Sequence, residues 1–387
     1  MARLIWKTNV RFMEALMQRI SSFQIWATLT VMTIPIAFLE VPKRQLEALG
    51  NNAWIAVLLA LPFGLLIYAM YMFIIHRSQT PFPAMLEEHF GAVAGRLLQI
   101  FYFVMELGIA AFGIRLFVDF VETNVLPGTP IIAYIVILMV VCFSALKSGV
   151  QTFMRTFEII AVLCLPLTLL ILALGCTQPL TPENLLPISN IDLKELGIAT
   201  ASTSIILSRG FIILVLGKWV TDWQGMRRAV IGALLTYVFL LTVTVMLSLL
   251  IFGASTAQIL SFPTFTIIQN IDILQFIQNI DIVFIGVWIL GMFATTTGTW
   301  YISLLSLQQA LRLSSYRFLT APTALILGVF AIAMAENILE VHILSNIIIP
   351  FLYGVVLFFI PFLMFLRILL TSTGNQSAKS IPVQNMD

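Results

Sequence analysis

Ten apolar stretches, separated by short polar segments, constrain this chain more than any other feature. They run at roughly 22–41, 53–75, 97–121, 131–146, 157–175, 196–217, 229–252, 281–309, 317–335 and 343–370. One example is "ALPFGLLIYAMYMFII" at 60–75. A helix needs about 20 apolar residues to cross the hydrocarbon of a bilayer. Helices of this composition have no polar face to turn to water, so lipid must be their solvent. Charged residues make up only 10% of the chain, against about 25% in a soluble domain. Fold class is therefore all-α integral membrane, with about ten transmembrane helices. The formal net charge of +2 says little, because the position of each charge matters more than the sum.

Orientation follows from the basic residues, which accumulate on the cytoplasmic side. With a cytoplasmic N-terminus, fifteen lysines and arginines fall on that side, from Arg3 to Lys379, and only Lys43, Arg44 and Lys194 on the other. Arg115 and Arg209 lie within spans. Both termini are then expected in the cytoplasm. Residues 1–20 read as a basic arm on the anionic inner leaflet, although Met13 offers a second start. Residues 21–370 form the transmembrane domain, and 371–387 a short disordered tail. Segment 80–95 has helical spacing but is too polar to cross, which predicts an interfacial helix on the inner side. Segment 253–280 has no basic residue and is too apolar for a free loop. It predicts a re-entrant or capping hairpin, and carries "IQNID" at 268–272 and again at 277–281.

Several chemistries have nothing to rest on. Cys142, Cys164 and Cys176 lack the paired spacing of a zinc site, and His76, His89 and His342 are scattered. There is no phosphate loop, dinucleotide fingerprint or nucleophile elbow. The sequence gives no reason to expect an enzyme, a metal, a cofactor or a nucleic-acid partner.

Polar residues inside spans carry the functional signal, because each is expensive in hydrocarbon. Arg115 and Asp119 are four apart on the third span and share a face. They read as an ion pair, or alternatively as part of a gate. Arg155 and Glu158 read as a surface-depth pair at the start of the fifth span. Glu106 lies near the middle of the third span, about half a turn around the helix from Arg115. It is a candidate for a water or proton pathway, or for a hydrogen bond joining two helices. Thr295 and Thr296, in "ATTTGTWYIS", could present hydroxyls to an ion or bond back to their own helix.

Arg209, in "ILSRGFIILVL", is the costliest residue, since a guanidinium at mid-membrane costs about 2.5–3.5 kcal/mol on insertion scales. It follows Ser202, Thr203, Ser204 and Ser208 and precedes Gly210. Such a stretch is a candidate for unwinding where it lines a cavity. The first span has a matching stretch, "TLTVMTIPIA", with Thr30, Thr33 and Pro35. Two interruptions five spans apart point to a five-plus-five inverted repeat, about 21–175 and 196–370, with broken first and sixth helices. A ligand would sit between the breaks, its anionic group facing half-helix N-termini.

The chain resembles the B subunit of spore-germination nutrient receptors, the germination permeases, which are similar to amino acid–polyamine–organocation transporters. The resemblance covers about 21–370. It rests on "GNNAWIAVLLALPFGLLIYAMYMFIIHR" at 50–77, "LPGTP" at 126–130, "TFMRTFEI" at 152–159, "NLLPI" at 184–188 and "FPTFTIIQNIDILQFIQNIDIVFIGVWILGMF" at 262–293. It implies a leucine-transporter-like fold, an endospore-forming bacterium and the spore inner membrane. It also implies partner A and C subunits and a nutrient ligand such as an amino acid. Two departures stand out. "TIPIA" replaces the family's small residues at the first break, and Arg209 replaces an apolar residue in the sixth helix. They point to a different or more anionic ligand, or to a lost one. The alternative function is a proton- or sodium-coupled amino-acid permease.

Overall fold

The computed structural model describes residues 20–186, 191–271, 280–336 and 338–377. Most of the expected basic arm and the second "IQNID" therefore lie outside the described residues. Helices account for nearly all of the rest. They are α1 (Ser22–Leu49), α2 (Ala53–Arg77), the short α3 (Ala84–Phe90), α4 (Ala92–Asn124), α5 (Ile131–Ser148) and α6 (Val150–Gly175). The second half holds α7 (Leu193–Leu207), α8 (Ile212–Leu216), α9 (Trp223–Ala257), α10 (Pro263–Gln269), α11 (Ile280–Ala310) and α12 (Thr320–Ala333). It closes with α13 (Ile338–Ile343), α14 (Ile349–Tyr353) and α15 (Ile360–Ser377).

Among the described residues, eight helical segments are long and apolar enough to cross a membrane. Their outward faces carry exposed apolar side chains such as Leu66, Ile137, Ile159 and Val329, as a lipid-facing surface requires. All ten apolar stretches fall on helix. However, α12 has 14 residues, short of the roughly 20 needed to span the hydrocarbon. One apolar segment, Phe38–Arg77, takes in the end of α1 and all of α2.

The first helix does not break. It begins at a capping box, in which Ser21 and Gln24 satisfy each other's backbone N–H groups, and then runs through Pro35 and Pro42. A proline inside a helix removes one backbone donor, and a neighbouring helix can supply replacements. Here α11 does so. Trp288 Nε1 donates to the Pro35 carbonyl at 3.0 Å, and Thr295 Oγ1 to the Met32 carbonyl at 2.8 Å. The two helices are in direct contact. A Cβ on Gly291 would fall 2.0 Å from Pro35 Cγ, and one on Gly298 2.2 Å from Met32 Cε. Helix α1 is thus continuous, and closely packed on α11, where the sequence pattern predicts an opening.

Three further segments carry helix. The 80–95 segment is not merely interfacial: Phe82, Met85 and Leu86 are buried, and Phe82 N donates to the Leu214 carbonyl. Helix α10 lies within the expected capping hairpin and is held to α1, with Thr264 Oγ1 donating to the Phe38 carbonyl at 2.8 Å. Finally, α15 reaches Ser377 and so takes up the first part of the expected tail. Residues 378–387 lie outside the described residues.

Candidate functional site

The sixth span is interrupted at Arg209, but as a tight turn and not an unwound strand. Helix α7 ends at Leu207, a 3-10 turn covers Ser208–Phe211, and α8 resumes at Ile212. Changing the hydrogen-bond pattern in mid-helix leaves carbonyls that need new donors. Two tyrosines one turn apart on α2 provide them. Tyr68 Oη donates to the Leu207 carbonyl at 3.1 Å, and Tyr71 Oη to the Ser208 carbonyl at 3.2 Å. Gly210 admits the first ring, since a Cβ there would lie 1.7 Å from Tyr68 Oη.

Arg209 is buried. Its guanidinium carbon lies 5.3 Å from the centre of the Tyr353 ring, a cation–π distance. Its Nη1 has no hydrogen-bond partner among the described residues. Two buried carboxylates, Glu40 on α1 and Glu106 on α4, feel its charge, yet no ion pair joins either to it among the described residues. One oxygen of each carboxylate is also unpartnered. The site therefore brings a guanidinium near two buried carboxyl groups, with hydrogen-bonding capacity to spare.

Tyr353 sits between two π-helical stretches, Leu344–Ile348 and Gly354–Phe359. Such stretches often mark functional sites. The carbonyls of the second face α4 and α2: Tyr102 Oη donates to Val356 O at 2.6 Å, and the single Tyr71 hydroxyl proton is shared between Leu357 O and Ser208 O. Beside the turn lies a cluster of buried rings. Phe211 stacks on Tyr102 with centroids 5.5 Å apart, and Phe82 meets both edge-on.

The sequence-predicted residues divide into distinct groups. Ser202, Thr203, Ser204 and Ser208 all donate to carbonyls of their own segment. Thr203 additionally accepts from Gln45 Nε2 at 2.9 Å. Thr30 and Thr296 are buried with free hydroxyls among the described residues, Thr33 is buried on α1, and Pro35 and Thr295 serve the α1–α11 contact. Arg115 and Asp119 form a buried two-pronged pair, Nε to Oδ2 at 3.1 Å and Nη2 to Oδ1 at 3.1 Å. Arg155 is exposed, while Glu158 lies 3.5 Å from Gln24 Nε2.

Sequence reasoning missed Glu40, Tyr68, Tyr71, Tyr102 and Tyr353. Glu40 was findable, being a carboxylate inside the first apolar stretch. The tyrosines carry no such mark. A cavity of about 250 Å³ adjoins the Glu40 end of the site, lined by residues that include Glu40, Lys43, Arg44, Asp119, Phe262 and Ser345.

This architecture, helices bathed in lipid around a buried charged site at an interrupted sixth segment, defines a multi-pass membrane protein of transporter fold. A Na+-coupled sialic acid symporter, solved substrate-bound and outward-open, shares it with a TM-score of 0.59 at 13% identity, over 88% of this chain and 79% of that one. Mhp1, a nucleobase-cation-symport-1 family transporter solved closed with bromovinylhydantoin, does so with a TM-score of 0.55 at 14% identity, over 90% and 78%. These likenesses give a leucine-transporter-like fold.

The family follows from sequence. The profile of the spore permeases, described as "Spore germination protein", matches residues 19–339, and the chain belongs to that family. Spore germination protein KB of Bacillus subtilis (strain 168) is 23% identical over 83% of this chain and 87% of its own length. The putative spore germination protein YfkT of the same organism is 25% identical over 74% and 78%. The chain is thus a germinant-receptor or permease-like membrane protein, and its relatives are receptors and transporters, not enzymes.

Proposed function

We propose that the chain is the membrane subunit of a nutrient-germinant receptor, which binds a small nutrient such as an amino acid at mid-membrane and passes the signal to A- and C-type partner subunits. It resides in the spore inner membrane with both termini on the core side. The observation that carries the reading is Arg209. This buried guanidinium is set on a 3-10 turn, lies against Tyr353, has an Nη1 without a partner among the described residues, and lies within electrostatic reach of two buried carboxyl groups. A charge that costly is retained where it acts. A carboxylate-bearing nutrient supplies the missing acceptor and re-weights the attraction of Glu40 and Glu106 for the turn. The turn is bound to α2 through Tyr68 and Tyr71, so a shift at Arg209 is transmitted to a second helix.

The test is germination of spores carrying variants of this chain. Arg209→Lys keeps the charge but loses the planar fork, and weakens the response to carboxylate nutrients while the subunit stays in the membrane. Arg209→Leu makes the span more apolar and abolishes the response without loss of insertion. A normal response of Arg209→Leu to every nutrient the parent recognises would remove Arg209 from the ligand site.

A further inference from the structure

One face of α15 carries an arginine among side chains that belong in hydrocarbon. Leu363, Leu366, Arg367 and Leu370 are spaced so that they share one side of the helix, and all four are exposed, Leu370 at 76%. Arg367 lies four residues before the end of the apolar segment that closes at Thr371. By helical rise that is about 6 Å inside the end, a depth from which an arginine reaches the headgroups. The neighbouring α2 ends in a second exposed arginine, Arg77. The two helices pack together there, with the rings of Phe73 and Phe365 5.1 Å apart.

Both guanidiniums are positioned by rings. Arg77 Cζ lies 5.6 Å from the centre of Phe73, and Arg367 Cζ 5.9 Å from that of Phe90, both cation–π distances. A ring face fixes a guanidinium without using any of its five N–H donors. Neither arginine pairs with a carboxylate among the described residues. They flank a single contact. The hydroxyl of Ser78, next to Arg77, lies 2.7 Å from His89 Nε2, and His89 lies within reach of the Arg367 charge. Lys218 Nζ donates to the Ser78 carbonyl and adds a third cation. The acids close by are engaged elsewhere. Glu88 accepts from the backbone N–H groups of Gln79 and Thr80 and from the Thr80 hydroxyl, and Glu87 faces Arg312 at 3.9 Å.

We propose that the seam between α2 and α15 binds one anionic phospholipid, with its phosphate between Arg77 and Arg367 and its acyl chains along the exposed leucines of α15. The planar guanidinium fork matches phosphate oxygens. Charge decides the class of lipid. A zwitterionic headgroup would bring its own cation toward Arg77, Arg367 and Lys218, whereas a headgroup of net negative charge would not. Bound there, the lipid ties the end of α2 to α15. Through Ser78 and Lys218, which follows the sixth span in the turn Gly217–Trp219, it also steadies the end of that span. The site lies on the lipid-facing surface and does not depend on the Arg209 reading.

Lipid titration of the purified full chain in detergent, read by native mass spectrometry, tests it. The probes are dioleoylphosphatidylglycerol, dioleoylphosphatidylcholine and the chain-free headgroup glycerophosphoglycerol. The first phosphatidylglycerol molecule should bind at least about tenfold more tightly than phosphatidylcholine, since each surface cation adds to the attraction for an anionic lipid. Arg77→Gln combined with Arg367→Gln should remove that preference. Both positions are exposed, so the pair of changes leaves the fold intact. Arg317→Gln, which removes an equally exposed arginine from the segment between α11 and α12, should leave the preference unchanged. Equal affinity for the two lipids, a preference that survives the glutamine pair, or an equal loss in Arg317→Gln would each overturn the assignment. Displacement of phosphatidylglycerol by the chain-free headgroup at equal concentration would do so too, because it would make the seam a site for soluble phosphate esters.

Discussion

Replacing Gly210 with alanine tests whether the sixth-span turn is built as described. The new Cβ would fall 1.7 Å from Tyr68 Oη, 2.2 Å from Cζ and 2.6 Å from Cε1. An ordinary carbon contact is about 3.5 Å, so the ring tip must retreat by about 1.8 Å. Tyr68 is buried and cannot retreat freely, because protein interiors are close-packed. Overpacking of this kind costs about 1–3 kcal/mol. The retreat also breaks the 3.1 Å hydrogen bond to the Leu207 carbonyl, and a buried acceptor left unpaired costs about 1–3 kcal/mol more. A total of about 4 kcal/mol is a large share of any domain's stability. In detergent, Gly210→Ala should therefore unfold at a clearly lower temperature than the parent, and spores carrying it should respond weakly. Adding Tyr68→Leu removes the obstructing ring tip, so the double variant should recover part of the loss, a coupling of about 0.5–3 kcal/mol. A Gly210→Ala protein that melts with the parent, or a double variant whose losses simply add, would refute the packing argument.

Three further outcomes are expected. Asp119→Asn strands the buried Arg115 charge and should destabilise by about 3–5 kcal/mol, whereas Arg115→Leu with Asp119→Leu should recover most of that; thermal unfolding of the three variants decides. Glu106→Gln should keep the fold but reduce the germination response, and normal subunit levels with a response unchanged from about pH 5 to 8 would return Glu106 to a structural role. Topology is read by thiol labelling with a membrane-impermeant maleimide. Native Cys176, which is exposed, should label from outside. Ser261→Cys should do the same, and Ser314→Cys only from inside, each in a Cys176→Ser background; outside labelling of Ser314→Cys would break the orientation.

Much of the architecture was legible along the chain, because lipid imposes a one-dimensional rule. A span must be apolar over a fixed length and keep its backbone bonds within itself. The stretches, the helical class and the family resemblance all follow from properties that can be read without knowing which helix touches which. Arg209 was legible for the same reason, as a charge violating that rule, and so was the Arg115–Asp119 spacing, since four residues bring two side chains to one face of any helix.

The first-span break was misread because proline reports only a missing donor. Whether that loss opens a helix depends on what lies beside it, and here Trp288, Thr295, Gly291 and Gly298 of α11 pack against α1 from more than 250 residues away. The hydroxyls before Arg209 bond back to their own segment, an outcome that composition leaves open. The sequence by itself determined that this chain lives in a membrane, that it is helical, and where its burdensome charges fall. Only the tertiary structure decided that the sixth span tightens while the first stays whole, that Tyr353 lies under Arg209, and that Glu40 and Arg44 share a cavity with Ser345. Those outcomes are contacts between residues distant in sequence, and they depend on how closely neighbouring helices pack.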